Sequence, residues 1–478
     1  MSRRRVAVVG AGLGGLTAAG LLARQGCDVT LFEAMGQTGG KASNLEREGI
    51  RLDTGPTLLT LPKTVGETFR MLGAEDLLPT FIEVNPQCHY RYHDGSELIV
   101  HRSIDRTAES AAQIDPRERE GVISYYRHAE TIFRTAGVPF LDAPYLSLGK
   151  FLARMLRRGI PSIQLGLSLK TLHALSVSHF RTPQLQQFGD RFATYVGASP
   201  YRASAAFAMI AHLEQSEGIY HVKGGMTSLA AAIDQAIRRL GVTIHLNCKA
   251  TWSQTLRGGW QVGPEGDQTR YDALVVNRDP LAGQKNSAAE LSLSGHVLLI
   301  KIPKQLRLPH HSVFFSENYR QEFDQLLAGQ VPSSPTLYLC HPASSDPSMT
   351  RSDTHDGAYL MVNAPPRCLT DEEKDLLTER CLNRLVSWIP ALQGNLEVLG
   401  QRGASDFAAL GSPSGSIYGA ASHGRLGPFQ RPLMKAPQPG LFYAGGGTHP
   451  GGGVPMVMLS GRFAAAMVSG HLESQAAA

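Results

Sequence analysis

The first apolar run, Val6-Ala7-Val8-Val9, shows no polar alternation, the pattern of a short strand buried on both faces. Gly10-Ala11-Gly12-Leu13-Gly14-Gly15 interrupts it, and residues 16–24 have helical composition. Asp28-Val29-Thr30-Leu31-Phe32 then makes a second strand ending at Glu33. Residues 117–215 repeat Leu, Ala and Phe at three- and four-residue spacing and read as mainly helical. Lys223-Gly224-Gly225-Met226 opens a helix over 227–239, which Gly241 closes. Strands at 242–246 and 272–277 bracket alternating stretches that predict a small antiparallel excursion. Near the end, Gly440-Leu441-Phe442-Tyr443 is a strand running into Gly445-Gly446-Gly447, followed by a helix from about 454 to 468.

The chain has 478 residues, a length that suits about three domain-sized units. Charged residues make up 18% and hydrophobic residues 42%, which excludes both a disordered chain and a polytopic membrane protein. Its six cysteines form no CxxC pair, so they read as free thiols in a reducing compartment. Ser2-Arg3-Arg4-Arg5 before the uncharged stretch 6–23 has the look of a secretory leader. Five glycines inside that stretch argue instead for a folded nucleotide-binding turn.

Gly10, Gly12 and Gly15 satisfy G-x-G-x-x-G between a strand and a helix. The first glycine permits the tight turn, the second admits a pyrophosphate, and the third lets helix and strand pack closely. The helix N-terminus faces the phosphates, and Glu33 is placed to accept hydrogen bonds from a ribose. A carboxylate there disfavours a 2′-phosphate, leaving NAD or FAD.

The residues after Glu33 separate these two. Gly39-Gly40-Lys41, then Asp53-Thr54-Gly55-Pro56-Thr57, resemble the FAD-dependent amine oxidase and phytoene desaturase superfamily. Leu308-Pro309-His310-His311-Ser312-Val313-Phe314-Phe315-Ser316 and Gly447-Thr448-His449-Pro450-Gly451-Gly452-Gly453-Val454-Pro455 are similar to bacterial carotenoid desaturases. The Gly453-to-Arg462 stretch leans to the hydroxycarotenoid 3,4-desaturase branch. The resemblance implies an α/β architecture: a discontinuous Rossmann-type FAD-binding domain, an inserted substrate domain and a mainly helical membrane-facing part. FAD-binding segments are then expected at 1–75, 216–290 and 406–478, with substrate segments at 76–215 and 291–405. Cofactor contacts are expected from Gly10, Ala11, Gly12, Gly14, Gly15, Glu33, Lys41, Gly55, Pro56 and Thr57, with Lys41 near the phosphates and ribose. Lys249 and Ala250 are expected at the adenine, and Gly445, Gly446, Pro455 and Met456 against the flavin.

The implied reaction is introduction of C=C bonds into an acyclic carotenoid by hydride transfer to flavin, favouring C-3,4 of a 1-hydroxycarotenoid. Phytoene desaturation, carotenoid isomerisation, and a lipid carrier of the GDP-dissociation-inhibitor type are the rival readings. A single nucleotide fingerprint suits electron release to oxygen or a quinone. His449 is the candidate catalytic base, its alternative role being to bond the glycine loop in place. His310 and His311 are not read as metal ligands, because strand neighbours face opposite ways and no third ligand lies at usual spacing. Asn277-Arg278-Asp279 stands where relatives commonly carry Asn-Ala-Asp, leaving open whether Arg278 alters substrate entry.

Charge adds one more element. The stretch 143–189 carries +6, more than the whole chain's net +5, because Lys150, Arg154, Arg157, Arg158, Lys170 and Arg181 occur there without an acid. Leu148, Phe151, Leu152, Met155, Leu156, Ile160, Ile163, Leu165, Leu167 and Leu169 are interleaved with them. That pattern suits a helix at an anionic lipid surface and argues against nucleic acid; it also suits a packed helix pair with a basic solvated face. The expected location is cytoplasmic, peripherally bound to the membrane.

Overall fold

Three distant stretches of the chain meet in one parallel sheet. In the computed structural model, which describes residues 3–158, 170–256, 258–284, 289–424 and 426–477, five strands lie side by side. Their order is Leu441–Tyr443, Ala273–Val276, Arg5–Val9, Asp28–Phe32 and Thr243–His245, all parallel. Val6, Ala7 and Val8 are fully buried, as a strand covered on both faces must be. Helices Leu13–Arg24, Met226–Arg239 and Val454–Ala477 supply apolar side chains to the core beneath. The first and last of these cross so closely that a Cβ on Gly461 would stand 2.3 Å from the Gly14 carbonyl. The predicted antiparallel excursion is Thr251–Gln254, Trp260–Gly263 and Thr269–Tyr271.

A second, seven-stranded sheet carries the other half of the molecule. Its order is Glu397–Arg402, Ser294–Pro303, His355–Ala364, Leu337–Cys340, His311–Phe314, Cys88–Arg91 and Glu97–Val100. Ser294–Pro303 and His355–Ala364 pair antiparallel through ten residues, whereas His311–Phe314 runs parallel to Cys88–Arg91. The region 76–116 therefore contributes two strands of this sheet besides a helix, Ile104–Ala112. The helices follow in Glu118–Ile132, Leu148–Arg157, Leu172–His179, Pro183–Asp190 and Met209–Glu217. Their core is aromatic, with Tyr125 packed on Phe180 and Phe188. Buried Glu118 holds two of the segments together by accepting from the Arg181 and Thr182 N–H groups at 2.8 and 2.5 Å.

All six cysteines are unpaired. Among the described residues no helix is long and apolar enough to cross a membrane. Ile160, Ile163, Leu165, Leu167 and Leu169 lie outside the described residues.

Candidate active site

Between the two sheets and under the helices runs a cavity of about 890 Å³. One end is glycine-lined. Gly10 has φ +97°, and a Cβ on Gly15 would sit 2.0 Å from the Gly10 carbonyl oxygen, so helix and turn touch through backbone alone. The Gly39 N–H donates to the Ala11 carbonyl at 2.8 Å, laying the second glycine turn on the first. Glu33 is buried; its oxygens accept from the Ala11 and Met35 N–H groups at 2.6 and 2.9 Å. Each carboxylate oxygen keeps a further lone pair, and Glu33 lines the cavity.

The C-terminal glycine loop closes the other side of this end. Asn277, with its amide turned to accept from the Gly12 N–H (3.2 Å) and donate to the Ala444 carbonyl (3.3 Å), ties the two loops together. Val454, Pro455 and Met456, the first residues of the last helix, line the cavity and aim the helix's positive end at it. Buried Arg431 donates to the carbonyls of Tyr418 (2.7 Å) and Gly446 (3.0 Å).

Of the sequence-predicted residues, Gly10, Gly12, Gly14, Glu33, Lys41, Gly55, Pro56, Thr57, Lys249, Ala250, Gly445, Gly446, Pro455 and Met456 all line this one cavity. Ala11 and Gly15 act from behind it, Ala11 through Glu33 and Gly15 through the helix contact. Glycine strips without side chains, two helix N-termini and two cations suit a dinucleotide with a pyrophosphate and a flavin.

Three of the expected positions have their own surroundings. The Lys41 side chain donates to the Ile417 carbonyl at 2.7 Å, with Asp279 nearby. Burial pushes its pKa down to about 8, against the pull of Asp279, whose own carboxyl burial pushes up. His449 does not line the cavity. It is buried among Phe140, Tyr145 and Phe463, within reach of the Ala143 and Phe140 backbone carbonyls, and burial pushes its pKa down to about 3. Its ring packs on the segment 140–145 and on Phe463, and its Nε2 atom has no hydrogen-bond partner.

The third concerns the paired histidines. His311 pairs with Cys340 across the strands, so fold, not sequence, brings a third ligand-type residue within 4.8 Å of both imidazoles. Burial raises the Cys340 thiol far out of the range in which it ionises. His310 Nδ1 bonds Ser345, and His311 Nδ1 bonds the Tyr338 hydroxyl, which in turn meets Thr57. The cluster thus supports the cavity wall.

Asp279, Arg431 and Tyr418 also line the cavity, and sequence reasoning did not single them out as site residues. Arg278 is exposed at the cavity edge and packs on Gly411.

The far part of the cavity is mostly apolar. Leu148, Phe151, Leu152 and Phe429 line it where the helix Leu148–Arg157 covers the C-terminal loop. Ser147 caps that helix by accepting from the Lys150 N–H, and Phe151 and Met155 anchor it against Phe140 and Phe429. Leu148 and Leu156 face outward, 36% and 68% exposed, next to exposed Lys150 and Arg157. Two of the basic residues expected at a lipid surface are committed elsewhere. Arg154 donates to the Pro139 carbonyl at 2.9 Å, and Arg158 pairs with Asp142 just outside the acid-free stretch.

Two glycine turns, two helix ends and an apolar chamber define a flavin-binding oxidoreductase site. Residues 13–469 match the model of the flavin containing amine oxidoreductase family, and the chain belongs to that family. It is 32% identical to a hydroxyneurosporene desaturase of Rubrivivax gelatinosus, over 98% of this chain and 94% of the relative. A hydroxyneurosporene desaturase of Cereibacter sphaeroides is also 32% identical, over 98% of each chain. Cyclohexylamine oxidase from Brevibacterium oxydans shares the fold, with a TM-score of 0.64 at 16% identity over 99% of this chain and all of that one. The protein is a flavin-dependent oxidoreductase, and the lipid-carrier reading gives way.

Proposed function

We propose that the protein is an FAD-dependent carotenoid desaturase that introduces a C=C bond at C-3,4 of an acyclic 1-hydroxycarotenoid. The observation that carries this reading is a continuous cavity, mostly apolar from the exposed helix Leu148–Arg157 inward to the two glycine loops. The names of its two hydroxyneurosporene desaturase relatives point the same way. Bound against these loops, FAD supplies the two-electron acceptor that a dehydrogenation needs.

The chain's own contribution is mainly positioning. Apolar walls hold a polyene in line with the loop 445–456 and keep water away, and the first turn of the last helix stabilises negative charge next to it. Lys41 Nζ and the Asp279 carboxyl are the buried ionisable groups beside that loop. The substrate is lipid-borne, since burying each CH₂-sized group gains about 0.8 kcal/mol. Leu148, Leu156, Lys150 and Arg157 form the docking face of an enzyme bound peripherally on the cytoplasmic side, with oxygen or a quinone taking the electrons.

Reconstitution tests the reading. The FAD-loaded protein in anionic liposomes is given phytoene, neurosporene or 1-hydroxyneurosporene, and products are followed by absorption. A longer-wavelength product from 1-hydroxyneurosporene is expected. Conversion of phytoene alone overturns the branch assignment. A product of unchanged hydrogen count, by mass, identifies an isomerase instead.

A further inference from the structure

Deep in the cavity an arginine faces an otherwise apolar chamber. Arg191 follows the helix Pro183–Asp190, lines the cavity and is only 9% exposed. Its guanidinium lies over the rings of Tyr195, Tyr90 and Tyr338 at 5.3, 5.6 and 5.6 Å from their centroids. The Tyr195 hydroxyl lies between it and the buried Glu214 carboxyl. Its Nη1 atom is sealed from solvent and has no hydrogen-bond partner. A guanidinium stays charged at any ordinary pH, so an unanswered N–H in this place is costly unless something else accepts from it.

The neighbouring polar groups of the wall are nearly all engaged. Tyr338 is bonded to Thr57 and His311, and the Thr336 hydroxyl donates to Glu322 at 2.6 Å. Tyr319 lines the cavity, is 3% exposed, and its hydroxyl has no partner; behind the wall Glu214 Oε1 and His311 Nε2 are unpartnered as well. Arg191 and Tyr319 interact electrostatically. What this wall offers a ligand is therefore two unsatisfied donors, one of them permanently cationic. A hydrocarbon polyene has no atom to answer them. An oxygen lone pair does.

We propose that Arg191 and Tyr319 form a subsite for an uncharged oxygen, a hydroxyl or a carbonyl, carried near one end of the long apolar substrate. Placing that oxygen sets which bond of the polyene lies against the glycine loops. The subsite rests on the carotenoid reading above, and it makes the substrate's oxygen, rather than its length, the basis of selection. A site with a buried donor discriminates strongly against an analogue that lacks the acceptor, because the donor is then left unpaired.

The test compares neurosporene, 1-hydroxyneurosporene and an acyclic apocarotenal with the full-length FAD-loaded enzyme in liposomes. The measured quantity is the ratio of kcat/KM for the oxygenated substrate to that for neurosporene. Arg191→Met is expected to lower that ratio about 10- to 100-fold, mostly through KM, and Tyr319→Phe about 3- to 10-fold. Arg191→Lys, which keeps charge and donor, should restore most of it. Flavin content and Tm are read in parallel; if Arg191→Met fails to fold, Tyr319→Phe and Arg191→Lys decide. Loss of the preference for the alcohol but not the aldehyde, or the reverse, identifies which oxygen is read. Equal losses on oxygenated and hydrocarbon substrates make Arg191 a structural partner of Tyr195 and Glu214, and overturn the subsite. Wild-type enzyme that desaturates both carotenoids without preference also overturns it, while the desaturase reading stands. Conversion of neither by FAD-loaded enzyme removes both.

Discussion

The glycine-lined end of the cavity and its apolar chamber recognise their ligands by different means. At the glycine-lined end the contacts are backbone, and the residues that make them come in short runs, 10–15, 39–41 and 445–456. In the chamber the contacts are side chains drawn singly from separate elements: Arg191 after a helix, Tyr319 at the start of another, Tyr338 on a strand, Phe429 in a turn. A cradle of backbone tolerates almost no added atom. A wall of side chains can be retuned one residue at a time, which is how one flavin fold serves substrates as different as an amine and a polyene.

The largest test of this contrast is Gly15→Val. A Cβ there collides with the Gly10 carbonyl oxygen at 2.0 Å, and both atoms are held by backbone. Flavin retention, read as the ratio of flavin to protein absorbance, is expected to fall below about a tenth of wild type, because overpacking of this kind costs about 1–3 kcal/mol or more. Retention at wild-type level would mean the turn is not rigid, and the contrast fails.

A double change at the outer face, Leu148→Asp with Leu156→Asp, should lower liposome binding by about tenfold or more while flavin content stays at wild-type level. Co-sedimentation with anionic vesicles reads it. Equal binding removes the helix from the membrane surface.

Lys41 bridges the two modes, since a side chain here supports the backbone cradle. With a pKa of about 8 it is a cation below that pH and neutral above. Flavin retention should therefore weaken about threefold to tenfold as pH rises from 7 to 9, and Lys41→Met should abolish that dependence. Equilibrium dialysis against FAD across the range checks it.

The smallest effect belongs to His449. Its folded pKa of about 3 lies below the usual 6.5, so the unfolded chain binds the extra proton between those values. Stability is then lost as pH falls through 6.5 toward 3, by this group's share. His449→Phe should lower Tm modestly at pH 7, for about 1 kcal/mol, and make the fall in Tm on acidification shallower. Unchanged slopes with loss of turnover would return His449 to catalysis.

The parallel sheet was legible because three of its strands, around 6–9, 273–276 and 441–443, are continuous apolar runs and its turn glycines sit at required spacings. The sequence also placed the last helix, since Gly451-Gly452-Gly453 before Val454-Pro455 is a helix start whose first residues carry free N–H groups. Less was legible in the chamber. Nothing local to Arg191 marks a side chain that ends up among Tyr90, Tyr195 and Tyr338. In the acid-free stretch, two of the six basic residues have partners the sequence does not mark: Arg154 donates to the Pro139 carbonyl and Arg158 pairs with Asp142.

The sequence by itself determined the cofactor cradle, because a turn that must be glycine leaves a mark at its own position and at fixed distances along the chain. Only the tertiary structure decided the chamber: that Cys340 faces His311, that Lys41 turns to the Ile417 carbonyl, and that Arg191 Nη1 and the Tyr319 hydroxyl are buried without a partner. Backbone geometry is written locally, residue by residue. The burial and partners of a charged side chain depend on which distant elements pack around it.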